Sequence, residues 1–526
     1  MNKKKHRQNY SKQLNKIQLL RRNGYLSRAE HWARRALLKG TQQANAYYEL
    51  GRIFELKAKF SQSLIFYDYS LNLNPYQANA WYHKGLIYQK QGQFYQAAEA
   101  FGKYIKYTSG SISTNAYLHL AQALSQLRFE GTAVQFYLKA MEQENTNILT
   151  YFYLAQTLDK LGDIHTALEC LMSLGKLYPQ KLDILSIMMG HLLEKKGEYT
   201  SAIACYDEAL KRKPQQVLWQ LKRDMAYPLV PETRAQIDTA RQRIEKALKT
   251  FLERLENQPV RLRQEEFFYL SMLHGNAVYT SYHHYRQKPL RSLLAKAIHT
   301  VMKKPAPWQS PEKKRSKKCH LGIMIAPKSV ALGYLYAGSM ADLLDPERFK
   351  VTLFCQSPDV ANLFNQGSKY FFKSKHVSYQ LISQDIYEAT KQVRFAAPDV
   401  LFFTEPGWDF RQYALALFRV APVQCTSWMT PGTTGLETMD YFLSSSLLEE
   451  PESQQNYTEK LELWPVFPSW VPGFVFPEAV PRSDFGLDDQ WNIYACLQNL
   501  LKFHPDFDLL VAEILRKDPN GHLVLV

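Results

Sequence analysis

No run of this 526-residue chain approaches the roughly 18 uninterrupted apolar residues that a membrane helix needs. The basic start, Lys3-Lys4-Lys5-His6-Arg7, is not followed by an apolar signal core. Neither membrane insertion nor export is expected. Cysteine is scarce and scattered: Cys170, Cys205, Cys319, Cys355, Cys425 and Cys496 form no C-x-x-C pair and have no histidine nearby at metal spacing. They read as reduced thiols of a cytoplasmic protein, and neither a metal nor a resident cofactor is expected. A G-x-G-x-x-G turn is also missing. Gly333 and Gly338 could admit a phosphate near a helix N-terminus, a weak signal when it stands alone.

What is present is ordinary globular material, 46% apolar and 22% charged, in a chain long enough for about three domains. The net charge of +16 invites a nucleic-acid reading. Its distribution argues otherwise: Lys303 to Lys318 holds seven basic residues and one acidic residue, Glu312, among Pro305, Pro307 and Pro311. That pattern is a solvated linker, and nucleic acid is not an expected partner.

The strongest internal signal is a repeat. Units beginning at Ala44, Ala78, Thr114, Ile148 and Asp183 are offset by 34, 36, 34 and 35 residues, and Tyr10 fits one unit earlier. Each first helix carries a small residue between larger ones, as in Tyr47-Leu50-Gly51-Phe54 and Trp81-Lys84-Gly85-Tyr88. Each second helix carries a small residue and then a ring or Leu four later: Ser63 and Tyr67, Ala97 and Phe101, Ala133 and Tyr137, Ala167 and Leu171, Ala202 and Tyr206. Small residues let two helices approach while rings fill the gap, so these positions are core. The pattern is that of a tetratricopeptide-repeat (TPR) solenoid, whose concave face suits an extended peptide. Asn45, Asn79 and Asn115 recur at the second position and read as helix N-terminal caps.

Past Pro214 the period gives way to longer helical patterns, Ile237 to Leu255 and Phe267 to Tyr285, the second crowded with rings and histidines. A metal site from His283 and His284 is not expected, because adjacent helical residues point about 100° apart. Packing or cleft lining is the better reading. Beyond the basic linker, short apolar runs alternate with helical patterns: His320 to Ala326, Phe349 to Phe354, Asp399 to Phe403 and Val423 to Trp428. Such alternation predicts βαβ units and a parallel sheet.

The run from Ala421 to Ser444 contains Trp428-Met-Thr-Pro-Gly-Thr-Thr-Gly435 and Met439-Asp-Tyr-Phe-Leu443. With Tyr457-Thr-Glu-Lys-Leu461 and Cys496-Leu-Gln-Asn-Leu-Leu-Lys-Phe-His-Pro-Asp-Phe-Asp508, it resembles the bacterial-type, SPINDLY-like O-linked N-acetylglucosamine transferases. The resemblance implies a GT-B fold, with two Rossmann-like lobes and a UDP-sugar between them. It also implies metal-free transfer of a sugar, N-acetylglucosamine by this likeness, to Ser or Thr of acceptor proteins held on the TPR concave face. Lys502 matches the family's diphosphate-binding lysine and Gln498 a neighbouring nucleotide contact. Pro431, Gly432, Thr433, Thr434 and Gly435 follow an apolar strand, precede a helical pattern and form a cleft loop whose hydroxyls and amides could face the sugar or diphosphate.

Asp399 and Glu405 are the nearby carboxylates for proton transfer, with a structural role the commoner fate of strand-end acids. Trp408 and Trp428 could stack on sugar faces, with core packing the commoner fate of such rings. The chain also departs from the family. Leu321 to Lys375 contains no histidine, so the loop Pro327 to Gly333 lacks the usual one, and Thr430 stands where the bacterial pattern has histidine before the PGTTG-like loop. The asparagine that animal family members place before each Leu-Gly step is replaced by Glu49, His83, His119, Tyr153 and Met188.

The expected organisation is α plus α/β. A TPR solenoid occupies 1–214, a helical bridge 215–302 and a basic Pro-containing linker 303–318. A Rossmann-like lobe with an interlobe segment occupies 319–490, and the start of a second, truncated lobe 491–526. A fragment of a longer glycosyltransferase is the leading expectation. A non-catalytic TPR scaffold with a degenerate transferase domain is the alternative.

Overall fold

The computed structural model describes residues 2–38, 43–127, 129–144, 148–259, 267–283, 286–302, 304–308, 317–326, 341, 343–356, 377–383, 385–466 and 480–525. The chain divides into two compact units, Met1–Leu177 and Tyr178–Val526. The first is built of helix pairs: α1 (Asn2–Arg22) with α2 (Leu26–Leu38), α3 (Gln43–Leu56) with α4 (Phe60–Leu73), α5 (Ala78–Lys90) with α6 (Phe94–Tyr107), α7 (Thr114–Gln126) with α8 (Glu130–Gln143), and α9 (Ile148–Leu161) with α10 (Ile164–Leu177). The small residue expected in each first helix is where a ring lands. A Cβ added at Gly51 would lie 2.5 Å from the Tyr67 ring, and one at Gly85 would lie 2.7 Å from Phe101. Both rings are completely buried.

Three of the family's asparagine positions hold groups engaged within the array. Glu49 accepts from Gln18 Nε2 at 3.0 Å and Arg21 Nε at 2.8 Å. His83 meets Arg52 and Glu55, and His119 stacks on Phe101 at 5.4 Å. The capping role expected of the asparagines is corrected: Gln77 and Ser113 are the N-caps of α5 and α7. Asn79 and Asn115 therefore sit inside their helices. Asn45 instead accepts from Gln77 Nε2, 32 residues on.

The second unit opens with another such pair, α11 (Leu182–Lys195) and α12 (Tyr199–Arg212). In that pair Tyr206 fills the seat left by Gly190. Helices α13 (Val217–Asp224), α14 (Arg234–Asn257), α15 (Phe267–His283) and α16 (Lys288–Val301) follow. Glu194 ties three of these elements together. It accepts from the buried Lys222 Nζ at 2.6 Å, from Tyr206 at 2.9 Å and from the Tyr227 amide at 2.8 Å.

Next comes a seven-stranded parallel sheet of order β3-β2-β1-β4-β5-β6-β7. Its strands are β1 (Cys319–Ile325), β2 (Phe349–Cys355), β3 (Val377–Leu381), β4 (Val400–Phe403), β5 (Val423–Ser427), β6 (Tyr441–Ser445) and β7 (Lys460–Trp464). Helices α17 (Ile386–Ala396) and α18 (Phe410–Ala416) flank β4 in sequence. Alternate strand residues enter two cores. Met324, Phe354, Leu401 and Phe403 pack with α13–α18, whereas Ile323, Ile325, Leu353 and Phe402 pack on the other face. Burial on both faces is what makes these strands continuous apolar runs.

One expectation fails: Pro431-Gly-Thr-Thr-Gly435 does not precede a helix, and the chain runs through irregular backbone and a turn into β6. The last described elements, β8 (Asn492–Cys496), α19 (Pro505–Lys517) and β9 (Gly521–Leu525), form the expected βαβ unit with a two-stranded parallel sheet.

Two glycines separate packing from propensity. Gly85→Ala should cost about 1–3 kcal/mol by overpacking against Phe101. Gly102→Ala, in α6 with no atom within 4 Å of the new methyl, should be neutral or stabilising by about 0.5–1 kcal/mol. Urea unfolding should show Gly85→Ala losing stability and Gly102→Ala losing none.

Candidate functional site

In an open parallel sheet, ligands bind outside the carboxyl ends of the strands where strand order reverses. Here the reversal lies between β1 and β4, which pair from Leu321–Val400 to Met324–Phe403. The chain leaves β4 through Thr404-Glu405-Pro406-Gly407-Trp408. Thr404 Oγ1 donates to Met324 O at 2.9 Å, stitching the ends of the two strands. Gln412 Oε1 accepts from the Glu405 amide at 3.0 Å and so fixes the turn. Glu405 is buried at this crevice.

Asp399 does not join it. Its carboxylate accepts from the His320 amide at 2.7 Å at the opposite end of β4, about 20 Å from Glu405 by strand rise. The loop from Pro327 to Gly333, with Gly338, lies outside the described residues, as do His284 and most of the basic linker.

The turn after β4 packs on the loop after β5. A Cβ at Gly407 would come within 2.7 Å of Thr430 Cγ2 and 2.8 Å of Pro431 Cδ. Thr430, at the family's histidine position, turns inward, with its hydroxyl 3.2 Å from Thr426 Oγ1. The cleft-loop threonines also face inward, onto the buried Glu459 just before β7. Thr433 Oγ1 donates to Glu459 Oε2 at 2.6 Å, the Thr434 amide to Oε1 at 2.8 Å, and the Thr434 hydroxyl to Oε1 as well. Thr433 Oγ1 in turn accepts from the Thr458 amide at 3.1 Å.

Gly435 closes the loop at φ +76°, where any Cβ would strike the Arg291 backbone of α16. Only glycine satisfies both demands. Pro431 and Gly432 remain the half-exposed part of the loop, and the space around Gly432 is open.

Helix α15 lies against the turn after β4. His274 is buried against Tyr413, with ring centres 4.4 Å apart, and its Nε2 is 3.2 Å from Pro406 O. Burial, with the Arg291 charge nearby, pushes its pKa down to about 3. Arg291 is itself buried, donates to Ser281 Oγ at 3.0 Å and is pushed down to about 10 by its burial.

Toward the surface, Trp408 lies 5.7 Å from Tyr282 and 6.3 Å from Tyr279. Lys502, from a 3-10 turn after β8, places its ammonium 5.2 Å from the centre of the same Tyr282 ring. The structure therefore brings Lys502 to the ring shelf that continues from the Glu405 turn, and the loop 431–435 to the base of that turn. Gln498 is exposed beyond β8, and Trp428 is half-buried after β5.

The comparisons with known proteins fit this arrangement. Tetratricopeptide-repeat models match residues 78–109, 136–169 and 185–216. The probable UDP-N-acetylglucosamine–peptide N-acetylglucosaminyltransferase SPINDLY of Arabidopsis thaliana is 30% identical over 163 residues, which are 30% of this chain and 18% of that protein. The probable enzyme SEC of the same plant is 30% identical over 113 residues, 20% of this chain and 12% of that protein. Each match thus spans less than a fifth of the curated relative. A solved O-GlcNAc transferase of Thermobaculum terrenum, a mutant form, superposes with a TM-score of 0.53 at 17% identity, covering 78% of this chain and 68% of that one. The chain carries tetratricopeptide repeats and is similar, over part of its length, to these O-GlcNAc transferases. The likeness to the solved structure establishes the fold: a TPR solenoid followed by a parallel-sheet α/β region.

Glu459 lies within Tyr457-Thr-Glu-Lys-Leu461, a run whose pattern alone gives it no role. Its signal was the Thr433-Thr434 pair, two hydroxyls between glycines that need an acceptor once buried. Glu459→Ala should cost at least about 3 kcal/mol, at ~1–3 kcal/mol for each buried donor left unsatisfied. Adding Thr433→Val and Thr434→Val should recover part of that loss in urea titrations.

His274 gives a second expectation. Its folded pKa lies below the unfolded value near 6.5, so the unfolded chain binds the proton first as pH falls. Stability should be flat above about pH 7. It should then decline by up to ~1.4 kcal/mol per pH unit below 6.5, with His283, pushed down to about 4 by its burial, adding to the same limb. Thermal melts from pH 7 to pH 5 should show this slope, and His274→Gln should reduce it.

Proposed function

We propose that this chain serves a protein O-glycosyltransferase that moves a sugar, N-acetylglucosamine in the favoured reading, from a UDP-sugar to Ser or Thr of acceptor proteins. The TPR array recruits the acceptor, and the reaction is cytoplasmic and needs no metal. The observation that carries the reading is Lys502, the residue matching the family's diphosphate lysine, sitting over Tyr282 beside Trp408 at the switch-point crevice. A cation there offsets charge developing on the leaving diphosphate, which lowers the barrier more in a preorganised crevice than in bulk water. Glu405, buried at the C-terminal end of β4, is the carboxylate suited to take the acceptor proton, and Asp399 is too distant to share that role. Pro431 and Gly432 offer the open edge of the cleft loop, while Thr433 and Thr434 shape it through Glu459. Gln498 would contact the nucleotide.

A second reading rests on those same threonine hydroxyls being spent on Glu459: a TPR scaffold whose transferase region is not catalytic. Calorimetry of the full chain with UDP and UDP-N-acetylglucosamine separates the two. Saturable binding that Lys502→Ala weakens about tenfold, a loss of ~1.4 kcal/mol, supports the transferase reading. The absence of any UDP heat leaves the scaffold.

A further inference from the structure

Helix α1 carries eight basic residues and no acidic one across Asn2–Arg22. Its partner α2 adds Arg28, Arg34 and Arg35 against the single Glu30. The acidic groups nearby are already engaged: Glu30 is held by Arg34 at 2.8 Å and Lys57 at 2.7 Å, and Glu49 by Arg21 at 2.8 Å. Lys12, Lys16, Arg22, Arg28 and Arg35 are exposed, and none makes an ion pair among the described residues.

These cations are ordered rather than scattered. Lys16 Nζ lies 4.0 Å from the centre of the Trp32 ring and Arg35 Cζ 5.6 Å from it. Arg28 Cζ lies 5.7 Å from the Tyr25 ring. Spacings of four and three along Arg28, Trp32 and Arg35 set ring and cations on one face of α2, and Tyr25 stands just before its first residue. Lys16 brings the neighbouring stripe of α1 to the same place. Leu19, one turn beyond Lys16, is 59% exposed.

We infer that the α1–α2 face is a docking surface for an acidic polypeptide segment with interspersed apolar side chains. Guanidinium groups pair bidentately with carboxylates, and holding them on rings lowers the conformational cost of doing so. The rings themselves argue against a single-stranded nucleic acid. Base stacking needs a free aromatic face, whereas Trp32 packs on the core beneath it and carries the patch's own cations. This surface is independent of the crevice in the second unit, and the inference does not rest on the transferase reading.

The test uses the full chain and a fluorescein-labelled 20-residue peptide of Asp and Glu interspersed with Leu and Phe, read by anisotropy at 50 and 200 mM salt. The triple variant Lys16→Glu, Arg28→Glu, Arg35→Glu should bind at least about tenfold more weakly with a shallower salt dependence. Lys313→Glu, Lys314→Glu, Arg315→Glu makes the same charge change in the linker and should alter binding less than about threefold. Should the reversed helices lose helicity by circular dichroism, the glutamine triple at the same sites carries the comparison. Equal weakening by both variants would reduce the effect to net charge and overturn the inference. So would patch-dependent binding that is tighter to a 20-nucleotide RNA, or to phosphatidylserine vesicles, than to the peptide.

Discussion

The crevice of the second unit depends on one buried carboxylate. Glu459 takes donors from both threonines of the cleft loop, and that loop in turn supports the Glu405 turn through Gly407. A buried carboxylate is costly unless its oxygens are satisfied. Here the loop supplies hydroxyl and amide donors, so the loop conformation and the solvation of the acid are one arrangement. Gly435 adds a steric condition from α16, and His274 ties the neighbouring turn to α15 through Pro406 O. Two strand-end turns and two helices are thereby held in fixed relation, although neither turn belongs to a helix or a strand.

Much of this was legible in the sequence, for identifiable reasons. The helix pairs were readable because rings and small residues recur at a fixed period. Strands β1, β2, β4 and β5 were readable because burial on both faces keeps them mostly free of charge, although β5 carries Gln424, Thr426 and Ser427 at its buried positions. Strands β3 and β7 were not, since Val377–Leu381 and Lys460–Trp464 lie at the sheet edges and mix exposed with half-buried positions. The apparent helix after Gly435 arose because Leu436 and Met439, spaced like one helical face, are buried in a turn instead.

The site divides in the same way. Glu405 and Lys502 were named from the sequence, and the fold sets one at the switch point and the other on the aromatic shelf beside it. Asp399 was named on equal terms and lies at the wrong end of its strand, a distinction that only strand direction makes. Glu459 went unassigned because burial, which gives it its role, leaves no mark on a lone Glu beside Lys460, and His274 was legible only as one of a helix's packing or cleft-lining rings and histidines. The capping role given to Asn79 and Asn115 failed for a related reason: two residues of offset move a side chain from the cap into the first turn.

The ring seated on each small residue has a consequence for how such an array can change length. The interval from Ala78 to Thr114 is two residues longer than that from Ala44 to Ala78, and the surplus sits in Thr108–Ser113, between the helix pairs. Within a pair the seat behaves like a pawl on a ratchet. Slipping one residue would drive Tyr67 or Phe101 into a larger neighbour, while adding or removing a whole pair leaves every remaining seat filled. Growth of this array by entire modules, with fine adjustment confined to the connectors, is the only path that keeps its core intact.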